Sequence, residues 1–221
     1  MPRCDVSWST SPPNTASRQS RSRWRARRTN VRLFLAINLP ASVRRDIRAA
    51  TAPMRDATQD RHAVKWLDDD HLHITLKFLG EQPDASAGPL RDALGAALAP
   101  HGAFTLGLGG LGAFPNLRAP RVVWMGVTPE PKLELLQHDV ERACASLGYP
   151  LDARPFRPHI TLGRTRDRVS SADARAIATA ARAVRFQTSA PAQSVDVMQS
   201  ELGASGARHT VLAAITLGRA G

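Results

Sequence analysis

The chain has 221 residues, 43% of them hydrophobic, which is enough for one medium domain or two small lobes around a core. Its formal net charge of +11 is uneven: residues 1–30 hold seven arginines against Asp5 alone, and the remaining body is only moderately basic, a balance suited to an anionic partner such as RNA. No apolar run approaches the roughly 20 residues needed to span a bilayer; Cys4 and Cys144 are the only cysteines, so no membrane span and no structural disulfide is expected, and a reducing cytoplasm is the expected setting.

Residues 1–30 are rich in Ser, Thr, Pro, Asn and Arg with almost no aliphatic side chains. They cannot bury a face and are expected to be disordered. The composition fits a transit peptide or a nucleic-acid-binding arm. The preferred reading is a mis-annotated start, because the folded pattern begins abruptly at Val31-Arg32-Leu33-Phe34 and a valine codon can serve as an alternative start. The folded domain is expected over 31–221.

From residue 32 the pattern mixes α and β. Leu33, Leu35, Ile37 and Leu39 alternate with Phe34, Ala36 and Asn38, as in a strand. Pro40 opens a helix with Val43, Ile47, Ala50 and Met54 on one stripe. A strand holding His73 follows and ends near Gly80. Leu90, Leu94 and Leu98 mark a second helix, and Phe104, Leu106 and Leu108 a strand whose glycines suggest bends. A turn-rich link, Phe114 to Pro120, leads into a strand from Arg121 to Val127. Pro129 and Glu130 introduce a third helix, stopped by Gly148. A strand holding His159, an alanine-rich helix over about Ser171 to Ala183, and strands at Val184–Thr188, Ser194–Leu202 and Arg208–Leu217 complete the chain, the last two joined by a turn at Gly203–Gly206. The order strand, helix, histidine strand, helix, strand occurs twice. The expected fold is α+β: two similar lobes, each a mainly antiparallel sheet with outer helices, around a central cleft.

The repeat is literal at one point. His73-Ile74-Thr75-Leu76 recurs as His159-Ile160-Thr161-Leu162. Successive strand side chains point to opposite faces, so His73 and Thr75 share one face and Ile74 and Leu76 the other; His159, Thr161, Ile160 and Leu162 divide in the same way. Two imidazoles converging with two hydroxyls between them suit acid–base work on an oxyanion. Histidine, with an ordinary pKa near 6.5, can supply either the acid or the base.

Other groups are weighed against that pair. His71-Leu72-His73 has a zinc-ligand spacing, but no comparable cluster of Asp, Glu, Cys or His accompanies it, and neither metal nor cofactor is expected. His62, His101, His138 and His209 stand alone and read as surface or packing residues. Lys77 shares the face of His73 and Thr75 by strict alternation and is a candidate phosphate contact. Arg164 falls on the face opposite His159, so a phosphate role needs a bulge or strand end at Gly163. Arg154 and Arg157 are placed to line a cleft rim. Phe114, Trp66 and Phe156 are able to stack on a base, although core packing also accounts for them.

These motifs resemble the 2H phosphoesterase superfamily. The flanks sharpen the likeness: Arg32 to Ile37, Leu72 to Gly80, Gly112-Ala113-Phe114-Pro115, Phe156 to Arg164, Ser200-Glu201-Leu202 and Gly206-Ala207-Arg208 are similar to the bacterial RNA 2′,3′-cyclic phosphodiesterases, also called 2′-5′ RNA ligases. The resemblance spans about residues 31–217. It implies hydrolysis of a 2′,3′-cyclic phosphate at an RNA end to a 2′-phosphomonoester without a metal; a monomer in the cytoplasm is expected. It further implies His159 as proton acceptor, His73 as proton donor, and Thr75 and Thr161 as donors to the non-bridging oxygens; Lys77, Phe114, Arg157 and Arg164 are the candidate substrate contacts beside them. His209 stands where family members often carry an aromatic residue. The alternatives are 2′-5′ ligation by the reverse chemistry and a non-catalytic RNA-binding module.

Overall fold

The first strand, β1 (Asn30–Asn38), buries Leu33, Leu35 and Ile37 on one face and Phe34 and Ala36 on the other, in a computed structural model that describes residues 30–59, 63–165, 169–203 and 206–218. The basic N-terminal segment and His62 lie outside the described residues, as do residues 204–205 of the Gly203–Gly206 turn.

Helix α1 (Ala41–Ala50) follows Pro40, whose carbonyl accepts from the backbone N–H of Arg44. The single stripe expected from Val43 to Met54 is two helices. Thr51 ends α1, its hydroxyl donating to the Ile47 carbonyl, and Pro53 favours a fresh start in α2 (Ala52–Gln59). The short β2 (Val64–Trp66) was not foreseen; three residues are too few for an alternation to declare itself. A 3₁₀ turn at Asp69–His71 then leads into β3 (His73–Pro83), which carries the first motif.

Helix α3 (Ala87–Leu98) buries Leu90, Leu94 and Leu98, as their spacing predicts. Strands β4 (Phe104–Phe114) and β5 (Val122–Val127) form an antiparallel pair. Helix α4 (Pro131–Ser146) is capped by the Glu130 side chain, which accepts from the Lys132 N–H. The second motif opens β6 (His159–Thr165). Helix α5 (Ser171–Ala183) starts at Ser170, whose hydroxyl accepts from the backbone N–H of Asp173. Strands β7 (Gln187–Ala192), β8 (Ser194–Gly203) and β9 (Gly206–Thr216) follow. The strand expected at Val184–Thr188 is thus displaced toward β7. Pro191 concealed it: proline is tolerated because β7 lies at the sheet edge.

Among the described residues the strands join in the order β7-β4-β5-β6-β3-β1-β8-β9, with β2 on β6, and every strand pair is antiparallel. The two expected lobes are the two ends of this curled sheet. They meet where β3 and β6 run side by side, paired at Ile74 opposite Ile160. Both isoleucines are fully buried in a core that also takes in Leu33, Leu94, Leu136 and Leu162, on the helix-covered face. The opposite face of the junction is left to the motif histidines and threonines.

Candidate active site

Antiparallel pairing centred on Ile74 and Ile160 sets His73 beside Thr161 and Thr75 beside His159. The four motif side chains therefore form a square related by a local two-fold axis through the junction. All four are half-buried. Among the described residues neither threonine hydroxyl has a hydrogen-bond partner, so both are open to a ligand. A cleft of about 850 Å³ reaches this square and is lined by Thr75, His159, Phe78, Phe114, Arg154 and Arg157, among others.

Each motif strand carries a bulge at the same point. Leu35 pairs with Lys77 and Ala36 with Thr75, so Leu76 is an extra residue; Val123 pairs with Gly163 and Trp124 with Thr161, so Leu162 is its counterpart. A bulge turns everything beyond it to the other face. Two expectations change as a result. Lys77 does not share the face of His73: it is 2% exposed at the wall of the cleft, and its Nζ is engaged by Glu141, donating to Oε2 at 2.7 Å. Phe78 takes the cleft-facing place instead and is 65% exposed. Arg164, which strict alternation turned away, lies on the face of His159 and Thr161 and is exposed. The bulge its role required is present. Gly163 permits it, because a Cβ there would come within 2.7 Å of Val64 Cγ1 and 3.1 Å of the Lys65 carbonyl.

The two imidazoles differ in surroundings. His159 Nδ1 lies 2.7 Å from the Arg157 carbonyl, which can only accept, so Nδ1 carries the proton and the neutral ring keeps its lone pair on Nε2. The edge of Phe114 packs on this ring at 4.9 Å between centroids. Phe114 is itself held by Trp124 at 5.3 Å, and Gly112 leaves room for the Trp124 indole. His73 is more enclosed, with Phe34 at 5.0 Å and His209 at 5.4 Å. Burial pushes its pKa down to about 4, with His209, His71 and His159 adding like-charge repulsion and the His71 backbone opposing it.

His209 therefore does not stand alone. It packs edge-on against His71 at 4.6 Å, reaches Phe34 at 5.1 Å, and is also pushed down to about 4, by burial and then by His71. The signal for it was faint: β9 lies far downstream of His73 in the chain, and only the order β3-β1-β8-β9 curls it over the site. Trp124 and Phe34 were missed because only strand pairing brings β5 and β1 beside the motif strands, and Phe78 because the bulge at Leu76 turns it to the cleft. His71, His73 and His209 are close, yet among the described residues no group of three His, Cys, Asp or Glu side chains is placed to hold a metal ion. Trp66 is away from the cleft, its Nε1 donating to Thr58 Oγ1 at 3.3 Å. Phe156 lines the cleft while packing partly on the core. Among the described residues no helix is long and apolar enough to cross a membrane.

A family model described as the 2′-5′ RNA ligase superfamily matches residues 39–203. A Thermus thermophilus protein named RNA 2′,3′-cyclic phosphodiesterase is 33% identical over 193 residues, covering 85% of this chain and 90% of that one. A Geobacillus stearothermophilus protein of the same name is 40% identical over 131 residues, 59% of this chain, and the match spans 41% of that relative's length. Among solved structures, E. coli LigT complexed with 3′-AMP is similar with a TM-score of 0.68 at 30% identity, over 86% of this chain and 99% of that one. TT0787 of Thermus thermophilus is similar with a TM-score of 0.68 at 27% identity, over 85% of this chain and 98% of that one.

Proposed function

The chain belongs to the 2′-5′ RNA ligase superfamily, and on that premise we propose that it hydrolyses RNA 2′,3′-cyclic phosphate ends to 2′-phosphomonoesters, with its own imidazoles moving the protons. The observation that carries the assignment is the His159 Nδ1 contact with the Arg157 carbonyl, which presents a basic Nε2 at the cleft. Water attacks phosphorus as His159 Nε2 takes its proton. The P–O3′ bond breaks, and the leaving oxygen takes a proton from His73 Nε2, whose Nδ1 is the buried nitrogen. The products are a 2′-phosphate and a free 3′-hydroxyl; His159 is left protonated and His73 neutral, and exchange with solvent resets both.

Thr75 and Thr161, unpartnered among the described residues, donate to the two non-bridging oxygens and follow the charge that builds on them. Arg157 supplies positive charge at the cleft, Arg164 supplies it on the exposed face it shares with His159, and Phe114 offers an aromatic surface to the ribose or base. RNA with a cyclic phosphate end is the partner this reading requires.

The depressed pKa of His73 supports a second assignment in which the roles are exchanged, since a neutral His73 is equally able to activate water. The two assignments differ in product. With an oligonucleotide bearing a 2′,3′-cyclic phosphate, phosphorus NMR is expected to show a 2′-phosphate. A predominant 3′-phosphate would mean that the acid and base, or the substrate orientation, must be exchanged.

A further inference from the structure

One buried charge beside the cleft has no part in that chemistry. Lys77 Nζ donates to Glu141 Oε2 at 2.7 Å and to the Pro150 carbonyl at 2.8 Å, and lies 3.7 Å from Asp152 Oδ1. Glu141, on α4, also accepts from Gln137 Nε2 and from the Asp152 N–H, both at 3.3 Å. Strand β3, two residues past Thr75, is thereby tied to α4 and to the start of the segment between α4 and β6.

That segment, residues 149–158, has neither helix nor strand. It carries Arg154, Phe156 and Arg157 along the cleft and delivers the chain to His159. Both arginines are exposed, and among the described residues neither has a carboxylate partner. Two unneutralised guanidinium groups on one irregular strap match an anion longer than a single cyclic phosphate. Such a strap needs an anchor, since it has no ladder of its own. A buried ion pair is a costly way to gain stability, because apolar residues of the same volume do as well. Its distinctive property is fixed geometry, and here it fixes the root of the strap.

We propose that residues 149–158 form a subsite for the internucleotide phosphate upstream of the cyclic end, contacted by Arg154 and Arg157, and that the buried Lys77–Glu141 pair is the positioning element that holds this strap in place. The inference rests on the cyclic-phosphodiesterase reading above. A mononucleotide 2′,3′-cyclic phosphate has no upstream phosphate and makes no use of the subsite, whereas an oligoribonucleotide does. His159 keeps its orientation in either case, because its strand is held by pairing with β3 and β5, and the Arg157 carbonyl it meets lies at the β6 end of the strap, the end away from the clamp.

The test compares a nucleoside 2′,3′-cyclic phosphate with a short oligoribonucleotide carrying the same end. Lys77→Met alone strands the Glu141 charge, so the principal variant is Lys77→Met/Glu141→Leu. Asp152→Asn, whose side chain is 53% exposed, gives an independent loosening that leaves the core intact. In both variants the KM for the oligonucleotide is expected to rise, in the double variant by about tenfold, the equivalent of one charge-assisted contact. Its dependence on salt becomes shallower by about one power of concentration. Values of kcat for both substrates, and KM for the mononucleotide, stay near the parental ones. Amide exchange over 149–158 accelerates while the melting transition is kept. Equal losses on both substrates, or no change on either, would overturn the proposal. A parental protein that turns over neither substrate would instead overturn the reading on which it rests.

Discussion

Binding of a phosphate is expected to change the protonation state of His73. In the free protein burial and neighbouring imidazoles hold this group at about 4 against an ordinary 6.5, a difference worth about 3 kcal/mol. At pH 7 only about one molecule in a thousand then carries the proton that a general acid must deliver. An anionic phosphate oxygen about 4 Å from the ring would contribute ~4 kcal/mol of attraction at an effective dielectric constant near 20. That is enough to offset the deficit, so the acid becomes charged when, and only when, substrate is in place. The assay is an NMR titration of ¹³C-labelled histidine, free and saturated with the 2′-nucleotide product. His73 is expected to titrate near 4 in the free protein and at or above the ordinary value in the complex, with about one proton taken up on binding near pH 5.5. Product affinity should accordingly weaken as pH rises through the value in the complex. A free His73 that titrates near 6.5, or one that stays near 4 with ligand bound, would refute the reasoning.

The same displacement has a consequence for stability: the folded pKa lies below the unfolded one, so stability is complete above about pH 6.5 and is lost as pH falls from there toward 4, by up to about 3 kcal/mol for His73. Urea unfolding across that range should show a slope that flattens in His73→Phe. His73→Ala and His159→Ala are each expected to lower turnover of the cyclic-phosphate oligonucleotide by about 10²–10⁴-fold, with melting temperatures at pH 7.5 close to the parental value. Turnover should survive exhaustive EDTA treatment; loss on chelation with recovery on adding zinc would return His71 and His73 to the role of metal ligands. Gly163→Val places a side chain against Val64 and the Lys65 carbonyl and should cost about 1–3 kcal/mol by overpacking, read from the melting temperature, together with a raised KM as Arg164 shifts.

Face assignments within the motifs were readable in the sequence because a period of two needs no knowledge of neighbours: His73, Thr75, His159 and Thr161 sit where alternation placed them. The larger elements were readable for a similar reason, as with Leu90, Leu94 and Leu98 on α3. What lay beyond reach was set by interactions between strands. A bulge is a mismatch in pairing, and nothing inside His73–Gly80 says that Leu76 has no partner on β1. So Lys77 was put on the face of His73 when the bulge turns it to the other, and Arg164 was put on the far face when it shares that of His159. His209 shows the same limit at longer range, since its neighbours come from β1, β3 and the turn before β3. Pro191 and the three-residue β2 failed on local grounds, one by masking a strand and the other by being too short to show a period.

The local two-fold between the motif strands has a further effect on the substrate. A frame that repeats itself under rotation cannot tell left from right: a ribose cyclic phosphate laid across it could face either way, and each histidine would meet each ester oxygen equally often. Handedness has to come from whatever breaks the repetition. Just past the two bulges, at matching places, the chain puts an exposed benzyl ring at Phe78 and an exposed guanidinium at Arg164. One flank of the square is oily and the other cationic. A nucleotide is likewise lopsided, with a flat base at one end and a charged backbone at the other, so on the function proposed above this pair of equivalent positions with opposite chemistry would be where the direction of reading is decided.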